Sequence, residues 1–175
     1  MKKYCAFLRG VNVKGTSMKM VEGCKIFTEA GMKEVSSVLA TGNILFSSDK
    51  NRSDLKRILQ QALSEYFDYE AFLFLKTKQE ITEICTNNPF VKSEDLHIYV
   101  FIGTEEIENS LLKEFNLTLK SKNEDGKIVG NTFYWQIEKG NTLDSNFGKI
   151  LGKKSLKSQM TSRNINTLEK ILKKF

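Results

Sequence analysis

The sequence is short of the residues on which most metal and nucleophile chemistry depends. His97 is the only histidine in 175 residues. That removes multi-histidine metal sites, zinc proteases and most histidine-based triads from consideration. Cysteines are three, Cys5, Cys24 and Cys85, scattered through apolar periodic segments with no CxxC pair. They read as small hydrophobes rather than a disulfide framework, so a reducing cytoplasm is the expected location. With one proline, Pro89, and no Gly/Ser-rich stretch, the chain has no evident flexible linker. Apolar runs are short, "AFLFL" (71–75) being typical, far below the length needed to span a bilayer. No basic segment followed by an apolar stretch opens the chain, so no secretory signal is expected, and no membrane partner is expected from such short apolar runs. No metal site and no cofactor is expected either, and oligomeric state is left open.

Charge is abundant and unevenly placed. Residues 1–119 carry 15 Lys and Arg against 16 Asp and Glu, a net of −1, while residues 120–175 carry 12 against 5, a net of +7. The excess is densest in "GKILGKKSLKSQMTSR" (148–163). Such an asymmetry points to a phosphate-bearing or polyanionic partner; its bland counterpart is a solvated face that aids solubility.

Periodicity organises the rest. "YCAFL" (4–8) is a continuous apolar strand. A helix follows with Ser17 as cap and Met20, Val21, Cys24 and Phe27 at helical spacing, stopped at Gly31. Strands 34–40 and 44–48 flank a Gly42-Asn43 turn signal. A helix capped by Ser53 carries Leu55, Ile58, Leu59, Ala62, Leu63 and Tyr66, and strand 70–76 closes a β-α-β-β-α-β unit of ferredoxin-like type. Thr77 and Glu80 form a capping box for a short helix ending at Asn88-Pro89. The second half reads as a strand (97–102), a helix (104–115), a strand near 117–120 or 127–130, a strand (132–138), a helix through Leu143, Phe147, Ile150 and Leu151, and a last helix from about Thr161. The expected architecture is α+β with duplicated ferredoxin-like halves, 1–76 and 77–175, packed as one body.

The candidate chemistry lies at element ends. "GVNVKGTS" (10–17) has P-loop-like glycines, but Lys14 precedes Gly15 where a P-loop lysine follows it, so NTPase chemistry is not indicated. An anion held by helix N–H groups beside Lys14 is the weaker reading, against a plain capped turn. Arg9 ends an apolar strand, where its charge needs water, a carboxylate or a ligand, and Asn12 follows three residues on. Arg163 is placed in the first turn of the last helix, with Thr161 or Ser162 as cap, where the helix dipole opposes a cation; a carboxylate or an exogenous anion would compensate. Phe133-Tyr134-Trp135 resembles a stacking platform beside basic residues, yet core packing accounts for it better. No spacing singles out an acid/base pair, and Asp144-Ser145-Asn146 reads as a helix start.

"YCAFLRGVNVKG" (4–15), "TGNILFSS" (41–48), "NNPF" (87–90) and "TSRNINTLEK" (161–170) together resemble the DUF1697 family of bacterial proteins, a domain of unknown function. The resemblance implies a duplicated α+β fold. It places the family's Arg-Gly-x-Asn on Arg9, Gly10 and Asn12, its turn on Thr41, Gly42 and Asn43, and its Thr-x-Arg-Asn on Thr161, Arg163 and Asn164. Lys14-Gly15 departs from the family's glycine pair, and Ile165 from its aromatic. Arg9, Asn12, Lys14, Asn43, Thr161, Arg163 and Asn164 are therefore the candidate site. The functional expectation is a pocket that gathers Arg9 and Arg163 around a phosphate-bearing ligand, nucleic acid or nucleotide first. Two alternatives stand beside it: an enzyme acting on a small phosphorylated metabolite at that pocket, and an interaction module whose arginines are structural.

Overall fold

A computed structural model describes residues 1–10 and 18–175. In chain order the elements are β1 (Lys2–Arg9), α1 (Met20–Glu29), β2 (Lys33–Ser37), β3 (Asn43–Ser48), α2 (Arg52–Phe67), β4 (Phe72–Thr77) and α3 (Lys78–Thr86). They continue with β5 (Leu96–Gly103), α4 (Ile107–Asn116), β6 (Asp125–Val129), β7 (Thr132–Glu138), α5 (Asn146–Leu151), β8 (Met160–Asn164) and α6 (Ile165–Lys174). Two antiparallel sheets form, ordered β2-β3-β1-β4 and β6-β7-β5-β8. Their identical order and β-α-β-β-α-β connectivity make the fold a duplicated ferredoxin-like one. Two compact units emerge, Met1–Thr82 with Glu169–Phe175, and Glu83–Leu168. Among the described residues no helix is long and apolar enough to cross a membrane.

In the first unit, alternation sends Tyr4, Ala6 and Leu8 of β1 to one core with Leu55, Leu59 and Leu63 of α2 and Ile26 and Phe27 of α1. Cys5 and Phe7, on the opposite face of β1, are fully buried too, which explains the unbroken apolar run of this central strand. In the second unit, Phe101, Phe115, Phe133, Trp135 and Phe147 form an aromatic core under α4 and α5. Phe133, Tyr134 and Trp135 are all buried, so this strand serves packing and offers no stacking surface.

Local signals decide the helix starts, in places differently from expectation. Thr77 and Glu80 do form the capping box, with Glu80 N–H donating to Thr77 Oγ1 (3.2 Å) and Thr77 N–H to Glu80 Oε2 (2.7 Å). Ser145 caps α5 by accepting from Gly148 N–H. Asn51, not Ser53, caps α2, because its amide oxygen reaches Asp54 N–H at 2.9 Å. The expected cap Ser17 lies outside the described residues, and Lys19 occupies the cap position of α1 without a side-chain bond. Val21 is solvent-exposed rather than part of the buried stripe of α1, and Leu143, also exposed, lies before α5 rather than on it. The second strand of the second unit settles at 125–129, and residues 117–120 are not strand.

Candidate functional site

Two of the expected site residues meet at one corner of the first sheet. Arg9 ends β1 opposite Phe72 of β4, half-buried, and that burial lowers its pKa from the ordinary arginine value. Asn43 opens β3 opposite Phe7, two residues earlier on the same face of β1 as Arg9. Leu8 N–H donates to Gly42 O at 2.7 Å, which seats the β2–β3 loop beside this end of β1. Asn43 is fully buried, and its Nδ2 donates to Val38 O (2.9 Å) and Thr41 Oγ1 (3.0 Å). The loop it spans holds Leu39 (φ 59°) and Gly42 (φ 78°) in left-handed backbone, so the amide clamps a turn that would otherwise be disfavoured. The connection is thus longer than the tight Gly-Asn turn expected. Asn12 and Lys14 lie outside the described residues.

The second group is on β8, and here the expectation is corrected. Residues 160–164 are an edge strand paired with β5, and the helix begins only at Ile165, so Arg163 lies on the strand before the helix rather than in its first turn. It stands opposite Val100, which itself pairs with Tyr134 and so continues to Lys127, one row across the whole sheet. Arg163 is buried, and its Nη1 donates to Thr161 Oγ1 (2.8 Å) and to Ser162 O (2.7 Å). Tyr134 in the same row donates its hydroxyl to Ile84 O at 2.8 Å, and burial first, then Cys85, pushes its pKa up to about 12.

Asn164 alternates to the opposite face, beside Tyr99. Its Oδ1 accepts from Asn166 N–H (3.0 Å), so Asn164, rather than Thr161 or Ser162, caps α6. Its Nδ2 lies 3.0 Å from His97 Nδ1. With the amide as donor, that bond requires a neutral imidazole with its proton on Nε2. Burial and then Lys139 lower the His97 pKa, in agreement with the neutral form. Strand alternation therefore separates Arg163 from Asn164, which cannot serve one ligand on a single sheet face. The sequence used His97 only to exclude chemistries; its bond to Asn164 became legible once 160–164 was a strand beside β5.

The basic excess takes a clearer form. Lys149, Lys153, Lys154 and Lys157 are all exposed along α5 and the turn that follows it. Lys153 pairs with Glu114 at 3.5 Å, while Lys149, Lys154 and Lys157 form no ion pair among the described residues. No group of three or more metal-ligating side chains exists among the described residues.

The family model described as "Protein of unknown function (DUF1697)" matches residues 1–134. The chain belongs to the DUF1697 family. The matched stretch holds Arg9, Asn12, Thr41 to Asn43 and "NNPF", while the β8 group lies beyond it. In fold, this DUF1697 chain is similar to the conserved bacterial protein SP0830 from Streptococcus pneumoniae, with a TM-score of 0.80 at 20% identity over 99% of this chain and 98% of that one. At that identity the likeness establishes the fold alone. A comparison with curated proteins finds no match.

Proposed function

We propose that this DUF1697 protein binds a phosphate-bearing ligand, nucleic acid first, through the exposed lysines that follow β7. One observation carries the reading: Lys149, Lys154 and Lys157 crowd a nine-residue stretch without carboxylate partners among the described residues. Clustered ammonium groups on one surface attract phosphates along a backbone and release the counterions condensed there. The buried aromatic strand argues for backbone contact rather than base stacking. Anisotropy of a labelled single-stranded oligonucleotide tests this at low salt. Replacing Lys149, Lys154 and Lys157 together by glutamine should weaken binding at least tenfold, because each phosphate contact contributes to affinity. Unchanged affinity in that variant would remove the lysine segment from the proposal.

The sequence expectation that Arg9 and Arg163 gather one phosphate-bearing ligand is a separate limb. It requires Arg9→Gln and Arg163→Gln each to weaken binding of a mononucleotide such as ATP. A specific observation favours a second reading of these residues. Asn43, Arg163 and Asn164 all hold hydrogen bonds inside their own units. In an interaction module they would be structural clamps, and their variants would lower melting temperature without touching ligand affinity.

A further inference from the structure

The first unit holds a cleft of about 110 Å³ lined by Lys3, Glu34, Ser36, Ser47 and Lys174, with Leu45, Phe46 and Phe175 as its apolar part. Its wall is built by an irregularity. The pairing of β2 with β3 shifts register between Lys33 and Ser36, and Glu34 within that bulge takes a left-handed backbone with φ 52°. Bulges re-aim side chains, and a left-handed glutamate is disfavoured unless its surroundings hold it. Here Ser47, itself buried, donates its hydroxyl to Glu34 Oε2 at 2.5 Å. Among the described residues Oε1 makes no hydrogen bond.

Two ammonium groups line the same cleft. Lys3 Nζ donates to the main-chain oxygen of Phe175 (2.8 Å) and Lys174 Nζ to Ser37 O (2.7 Å). Each keeps two N–H donors after that bond. Neither lysine pairs with a side-chain carboxylate among the described residues, and Glu34 pairs with no cation there. The cleft therefore presents both signs of charge, with no ion pair between Glu34 and either lysine among the described residues. A simple anion would meet Glu34, and a simple cation would meet two lysines.

We propose that this cleft binds a small zwitterion of the α-amino acid type, with its carboxylate against Lys3 and Lys174 and its ammonium against Glu34. The site belongs to the first unit and is independent of the lysine segment in the second.

Calorimetric titration of the full chain with glycine, L-alanine and L-serine tests it, with acetate, methylamine and inorganic phosphate as single-sign controls. Saturable binding of at least one amino acid is expected, with each control weaker by about tenfold or more, the worth of one lost charged contact. Glu34→Gln and Lys174→Met should each weaken the amino acid by a similar factor, and Lys149→Gln should leave it unchanged. Binding by no amino acid, binding of acetate or phosphate as tight as the amino acid, or full affinity in the folded variants would overturn the proposal. If Glu34→Gln does not fold, Lys174→Met, at an exposed position, carries the test.

Discussion

Replacing Asn43 by alanine separates a structural clamp from a ligand contact more cleanly than any other change in the signature residues. The amide is fully buried and gives hydrogens to Val38 O and Thr41 Oγ1. Alanine removes both bonds, each worth about 1 kcal/mol net, and leaves the Val38 carbonyl short of a partner at a cost of about 1–3 kcal/mol. The loop also loses the tether that holds Leu39 in left-handed backbone, a conformation disfavoured by about 1–2 kcal/mol for a residue with a Cβ. A destabilisation of roughly 2–4 kcal/mol follows, which for a chain of this length lowers the melting temperature by roughly 4–16 °C. Asn43→Asp should be no milder, since a carboxylate accepts but does not donate to Val38 O. Urea unfolding followed by far-UV circular dichroism measures both variants. A midpoint within about 0.5 kcal/mol of the parent would refute the clamp. So would a variant of parental stability that has lost phosphate-ligand binding, because that result assigns the amide to a site.

Three further expectations concern the second unit. Phe147 is fully buried with ring centroids 5.2 Å from both Phe115 and Trp135, so Phe147→Ala should cost about 3–5 kcal/mol and shift the emission of Trp135, the only tryptophan, to the red. Gly148→Ala should destabilise despite alanine's better helix propensity, because its Cβ would fall 1.8 Å from Thr142 O and 2.8 Å from Ser145 Oγ, the cap of α5; a raised melting temperature would contradict this. His97 has a folded pKa below its unfolded one, so its contribution is complete above about pH 6.5 and is lost as pH falls through the lower folded value. Unfolding free energy should therefore drop between pH 7 and pH 5, less so in His97→Gln, and the single imidazole should titrate below the ordinary histidine value by NMR.

Most of the architecture was legible because burial follows period. The apolar runs of β1 and β4, the stripe of Leu55, Leu59 and Leu63 on α2 and the Thr77–Glu80 box all depend on nearest neighbours along the chain. β8 escaped because "MTSRN" has neither an apolar run nor a clean alternation; its strand character comes from pairing with β5, over fifty residues away. With β8 read as a helix start, Arg163 was placed inside the first helical turn, and Asn164 lost its role as cap. The Asn51 cap was missed in favour of Ser53 because both residue types cap well, and only the approach of Asp54 N–H decides between them. For the site, residue types at element ends located Arg9 and Asn43 at one corner. The faces of β8, the bulge at Glu34 and the return of Lys174 to the first unit depend on tertiary pairing, and no local pattern announces them.

The most direct test of the phosphate-binding account is the salt dependence of single-stranded oligonucleotide affinity, measured for the parent and for the variant with glutamine at Lys149, Lys154 and Lys157. Each lysine that neutralises a phosphate contributes about 0.7 to the slope of log affinity against log salt concentration on a single strand. The account predicts a steep negative slope for the parent that becomes shallower by about 2 in the variant, three contacts being lost. Equal slopes for the two proteins, or an affinity indifferent to salt, would contradict it.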